Sequence, residues 1–425
     1  MNRNVSPPST GIELGLRHQI AIAFLAFLTL LSHRPDAILN PQFFAEDGVA
    51  WYAQAYVHGG LNVLFTAQAG YQHLLQRLAA ALSLLGPLKI APLLFNLIAL
   101  SCQVLVVNLL ASRRLASLIP DLRVRLVMGF IYLGMPDSWE VLGLLSTAHW
   151  HLAVAACIVI LGEPPRERLW RLADCALLVL SVLSGPFAIL LLAIAALMWW
   201  LRRVRWSAIV LAVVACGALV QGATALLTAA AARSPAPLGA SPRLLADILG
   251  TQVFLVGLVG EEFFFYTLPS FIDSAGLVLA AFFFGAAVFA YTLWRAPWQV
   301  RLFVGFALAI LAATLTTPLV SENEAQWPQF LIPAVGGRYW LLPRLAFLLS
   351  LYWMGTASQP RIARWPAKVA LMLLLPVGMA IDWSHRPFPE IGWSERVGDF
   401  YRAEPGATID FPIQPPGWTL TLTKK

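Results

Sequence analysis

The residues best suited to chemistry in this chain lie in a few short stretches beside aromatic rings. Phe43-Phe44-Ala45-Glu46-Asp47-Gly48 sets two adjacent carboxylates ahead of Trp51, Tyr52 and Tyr56. A carboxylate so placed can take the proton of a substrate hydroxyl. Asp47 could also cap the helix that starts there, with the aromatics forming an interfacial stripe along it. His73 and Arg77 stand four apart and share a helix face. Both could meet phosphate, or Arg77 could reach toward water from an interfacial helix. Asp137-Ser138-Trp139-Glu140 and Ser146-Thr147-Ala148-His149-Trp150-His151 put polar groups at a helix mouth, as the lining of a cavity would. His149 and His151 are two apart, whereas helical metal ligands stand four apart. Late in the chain, Gly336-Gly337-Arg338-Tyr339 joins a backbone that can approach a ligand closely to a guanidinium that grips phosphate with two prongs. Arg344 follows at the next helix start. Glu261-Glu262 before Phe263 to Tyr266 reads as solvated acids over an aromatic belt.

The elements that must hold these groups are transmembrane helices. The 425 residues are 59% hydrophobic and 12% charged, against roughly 25% charged in a soluble domain. The apolar residues come in blocks closed by Arg, Pro or Gly, and a bilayer core needs roughly 20 apolar residues per helix. The expected spans are 19–37, 88–111, 124–136, 147–162, 172–184, 187–201, 206–228, 274–294, 302–319, 340–356 and 367–383. The fold class is therefore an all-α polytopic membrane protein with about eleven transmembrane helices. The first block lacks a small-residue cleavage site after it and reads as an uncleaved helix. Segment 71–86 opens with Gln72, His73, Gln76 and Arg77 and is placed as an outer-surface or re-entrant helix. Cys102, Cys157, Cys175 and Cys216 all fall in apolar blocks, where they pack as small apolar residues.

Charge orients this topology. With the N-terminus in the cytoplasm, the inner segments carry seventeen of the 29 basic residues and five of the 22 acidic ones. That is the positive-inside pattern. The net charge of +7 then answers to topology and anionic membrane lipid, not to nucleic acid. The unit 1–383 is the polytopic domain, with outer loops 38–87, 229–273 and 320–339. Residues 384–425 form a small outer tail. In that tail Ala407 to Ile413 alternates, Gln414-Pro415-Pro416-Gly417 signals a turn, and Trp418 to Thr423 alternates again, so it reads as β-rich. No P-loop, Gly-x-Ser-x-Gly elbow, His-Glu-x-x-His or dinucleotide fingerprint occurs.

A first helix, an outer loop with an acidic motif, and about ten further helices with a long late outer loop resemble the GT-C superfamily of membrane glycosyltransferases. Phe44-Ala45-Glu46-Asp47-Gly48 and Gly337-Arg338-Tyr339 carry the likeness. The resemblance implies a GT-C-like fold and sugar transfer from a polyprenyl-phosphate-linked sugar to a glycan or lipid acceptor of the cell envelope. Transfer would occur on the periplasmic side of a bacterial inner membrane, with inversion at the anomeric carbon. By the same resemblance Asp47, or Glu46, acts as base, with Asp47 favoured. Arg338 binds the lipid phosphate, and Tyr339, His73, Arg77, His149 and Arg344 are further substrate-binding candidates. No particular cofactor is implied, and Glu46-Asp47 could hold a divalent cation between donor phosphate and protein. Two other readings stay open: a lipid or polysaccharide flippase or transporter, and an envelope assembly factor whose tail binds a partner. A single cysteine at Arg166 should react with an impermeant maleimide only after the membrane is opened, and one at Glu404 should react before. The reverse pattern would overturn the assigned sidedness.

Overall fold

The computed structural model describes residues 14–228, 234–270, 274–358 and 361–425. The polar N-terminus with Arg3 and Glu13, and residues 229–233 and 271–273 of the expected loop, lie outside the described residues. Every one of the eleven expected apolar blocks contains a helix. Among the described residues seven helices are long and apolar enough to cross a membrane, and six of them match expected spans. The seventh, Pro242–Val259, lies in the segment expected to be an outer loop.

That segment corrects the expectation, because its described part is largely helical from 242 to 270 and the Pro242–Val259 helix is apolar. Both its ends nevertheless stay at one end of the bundle. The carbonyl of Pro237 accepts from the Gln326 amide at 3.0 Å. The amide of Glu261 donates to Asp382 Oδ2 at 2.7 Å. Midway, Gln252 Nε2 donates to the Phe330 carbonyl at 2.7 Å. The segment thus keeps to one side as a loop would, but it does so as an apolar helix packed into the bundle.

The Ala148–Leu161 helix is the hub, with thirteen of its fourteen residues buried, which its all-apolar lower turns permit. The Leu16–His33 helix is peripheral and buries only Ala26, Leu30 and His33. Segment 71–86 settles into the ten-residue helix Leu74–Ser83. At 1.5 Å per residue it extends about 15 Å, half a bilayer core. Its first amide donates to the Leu183 carbonyl at 2.9 Å, so it lies across the bundle end.

The two ends of the bundle differ in charge. At the basic end, Arg114 Nη2 meets Asp174 Oδ1 at 2.7 Å, and Arg202 Nη1 donates to the Gly162 carbonyl at 2.8 Å. At the acidic end, Arg34 Nη1 donates to the Leu142 carbonyl at 2.9 Å, and Asp382 and Arg338 join the Asp137–Glu140 hairpin.

The tail is a helix, Trp393–Arg402, followed by antiparallel strands β1 (Thr408–Ile413) and β2 (Trp418–Thr423). The alternation turns Phe411, Ile413, Leu420 and Leu422 inward, as period-two patterning requires. Trp393 and Phe400 close over Phe411, with ring centroids 5.3 and 5.7 Å away. Just past β1, Gln414 pairs with the segment before the acidic motif. Its amide donates to the Phe43 carbonyl at 3.0 Å and its carbonyl accepts from the Ala45 amide. Gly48 lies under Ile413 so closely that a Cβ there would sit 2.8 Å from the Ile413 side chain. Phe411→Ala should cost the tail about 3–5 kcal/mol and speed proteolysis of the 39–47 segment in detergent. Unchanged proteolysis would show that the motif holds its place without the tail.

Candidate active site

Ala45 has a φ of +47°, the left-handed region that a residue with a Cβ enters only under constraint. This kink, fastened by Gln414, turns the chain from the bridge into a π-helical turn, Asp47–Tyr52. Wide turns of this kind recur at functional sites. It parts the two carboxylates. Glu46 is partly exposed, whereas Asp47 is 1% exposed. No hydrogen bond of ordinary geometry reaches either Asp47 oxygen, so Asp47 does not cap the turn. Burial, then the charge of Glu46, raises the Asp47 carboxyl well above the usual range, and the nearby Phe44 and Ser146 amides offset only part of this. Trp51, expected in an interfacial stripe, is fully buried under Arg77.

The late motif packs on the Asp137–Glu140 hairpin. Gly336 takes a φ of +72°, and Gly337 leaves room for the Glu140 carboxylate, 3.3 Å from where a Cβ would be. Glu140 thus accepts from the Arg338 amide at 2.9 Å and also pairs with the guanidinium. The close approach expected at these glycines is real, but its partner is the chain's own Glu140. Arg338 Nη2 also donates to the Leu319 carbonyl at 3.0 Å, which leaves Nε without a hydrogen bond among the described residues. Burial opposes the Arg338 charge, yet Glu140 and the Tyr339 hydroxyl outweigh it and hold the guanidinium firmly protonated. Tyr339 packs edge-on against Trp150 at 5.8 Å.

Tyr71 links the two motifs. It feels the charges of both Arg338 and Glu46, and burial raises its phenol above the ordinary value. Its ring lies 4.3 Å from His73 and 6.2 Å from His149. The sequence reading missed Tyr71, whose only signal was its place two residues before His73.

Four of the expected substrate-binding residues are buried. Arg344 is fully buried and its donors are taken. Nε donates to the Gln252 carbonyl at 2.7 Å, Nη1 to the Asp137 carbonyl at 2.9 Å, and Nη2 to Asp137 Oδ2 at 2.7 Å. Arg77 is likewise fully buried and donates to the Thr66 carbonyl at 3.1 Å. His73 is 3% exposed, and burial, His149 and Arg77 together push it well below its usual value, so it is a neutral imidazole. His149 is buried as well and takes a 3.3 Å contact from Gln76. Glu46, Asp47, Tyr71, Arg338 and Tyr339 remain as the set able to act on a substrate. Among the described residues no three potential metal ligands converge.

Behind Arg338, Asp137 has a φ of +50° and carries a second carboxylate problem. Its Oδ1 is buried without a donor. Glu261, expected to be solvated, faces it, and its Oε1 accepts from the Ala334 amide. Burial and Asp137 raise Glu261 to about 8. The protonated Glu261 hydroxyl therefore supplies the donor that Asp137 lacks.

Glu261 holds its proton more tightly folded, to about 8, than unfolded, near 4.5. The stability this lends is complete below the lower value and is lost as pH rises to the upper one. Melting temperature in detergent should therefore fall across that window in the wild type and stay flatter in Glu261→Gln, whose amide always donates. Parallel curves would remove the shared proton.

No family model matches this chain, and no curated protein is similar enough to it to count as a relative.

Proposed function

We propose that this protein is a membrane glycosyltransferase of GT-C type. It crosses the bilayer eleven times and moves a sugar from a polyprenyl-phosphate carrier to an envelope glycan or lipid acceptor. In this reading the acidic end faces the periplasm of a bacterial inner membrane, and the N-terminus lies in the cytoplasm. The observation that supports the reading is that a partly exposed carboxylate, Glu46, and a firmly protonated guanidinium, Arg338, both lie within electrostatic reach of Tyr71. The five shorter expected helices count as crossings here, because short helices are tolerated where protein covers the backbone.

The chemistry needs little more. A carboxylate takes the acceptor hydroxyl proton as the oxygen bonds to the anomeric carbon. The bond from that carbon to the phosphate oxygen breaks, and the electron pair leaves with the lipid phosphate. Arg338, through its unengaged Nε and its rim-exposed face, stabilises that departing charge. Direct displacement inverts the centre. Glu46 is the accessible carboxylate and takes the role of base. Asp47, kept neutral by burial, sets the turn that presents it.

The flippase alternative needs a polar path between the ends. Buried apolar side chains such as Leu152, Ala155 and Phe347 fill that interior instead, which supports transfer over transport.

Purified protein given radiolabelled polyprenyl-phosphate mannose or arabinose and envelope extract tests the reading. Label should pass to the acceptor. Glu46→Gln should lower turnover about 100-fold or more, the usual contribution of a general base. Asp47→Asn, isosteric with the neutral acid, should keep at least a tenth of it. Arg338→Gln should weaken donor use more than acceptor use. Full turnover in Glu46→Gln would move the base elsewhere. Lipid translocation in vesicles without transfer would replace the reading with the flippase.

A further inference from the structure

A cavity of about 340 Å³ opens at the basic end, far from the acidic motif. Its size falls at the lower end of ligand pockets. Val106, Val154, Ile158 and Leu348, from three different helices, form its deep wall, and all four are buried. Val127 lines it too and is 56% exposed, so the opening lies on the flank of the bundle that a membrane would cover. A deep apolar slot with a lateral mouth fits a hydrocarbon chain.

Three guanidiniums stand around this slot: Arg114, Arg123 and Arg202. Arg114 is occupied by Asp174, and Arg202 by the carbonyls of Leu161 and Gly162 that end the hub helix. Arg123 is exposed, and its guanidinium has no partner among the described residues. The nearest acid, Asp121, uses Oδ1 to accept from the Arg123 backbone amide at 2.8 Å. An unengaged cation at the mouth of an apolar slot is complementary to a phosphate attached to a chain.

We propose that this cavity is a binding site for an anionic phospholipid of the adjoining leaflet, with one acyl chain in the slot and the phosphate on Arg123. The site is independent of the transfer reading, and its test needs no substrate. The full chain in nanodiscs of equal dioleoylphosphatidylglycerol and dioleoylphosphatidylcholine is ejected into native mass spectrometry, and tightly retained lipid is counted. The anionic lipid should be retained in excess. Arg123→Gln should cut that excess about fivefold, the equivalent of roughly 1 kcal/mol per basic residue at an anionic surface. Val127→Trp, a lipid-facing change that obstructs the mouth, should lower retention of both lipids. Equal retention of the two lipids by the wild type, an excess unchanged in Arg123→Gln, or retention unchanged in Val127→Trp would each overturn the proposal.

Discussion

The pairing of the short Asp137–Glu140 hairpin with two arginines from the far end of the sequence is the constraint on which the acidic end rests. Glu140 holds Arg338 by backbone and side chain, and Asp137 holds Arg344. Removing one member of a buried pair leaves the other charged and unpartnered, at about 3–5 kcal/mol. Neither pair is isolated. Arg344 also grips the carbonyl of Gln252, which fixes the re-entering helix, and Asp382 binds the amides of Asp137, Glu261 and Glu262. Four separate segments are thus tied to one hairpin. A rigid arrangement of this kind is what a site needs if its groups are to meet a substrate without reorganising.

Strain gathers at the same place. Ala45, Asp137 and Ala334 all adopt positive φ, each at a cost of about 1–3 kcal/mol. Each adjoins an interaction that repays it: the Gln414 bridge, the Arg344 ion pair and the Glu261 contact. The deviation at Ala45 is the one that turns Asp47 inward and leaves Glu46 partly open.

The helices were legible from the sequence because a membrane span is written in composition. The tail strands were legible because alternation has a single meaning there. Pro242–Val259 was hidden within an expected loop, because polar flanks mask an apolar helix that returns to the side it entered. Within the site, Glu46, Asp47, Arg338 and Tyr339 could be picked out as charges and aromatics beside glycine. Their partners could not. Glu140 and Arg338 are 198 residues apart, and nothing local says which of several acids will neutralise which arginine. Burial was equally hidden: Arg77 and Arg344 look like Arg338 in the sequence, and only packing separates two fully buried arginines from one that stays partly exposed.

The Gln414 bridge joins the segment before the acidic motif to a residue 372 positions after Gln42, which the Gln414 side chain also reaches. Synthesis delivers Gln42 to Ala45 long before it delivers Gln414. Until residue 414 emerges, the left-handed kink at Ala45 lacks the backbone bridge that fastens it. The intervening helices can therefore form in order while the acidic turn stays unset. Docking of Gln414 becomes a late step of assembly, and a chain cut short before residue 414 would lack the bridge that sets that turn.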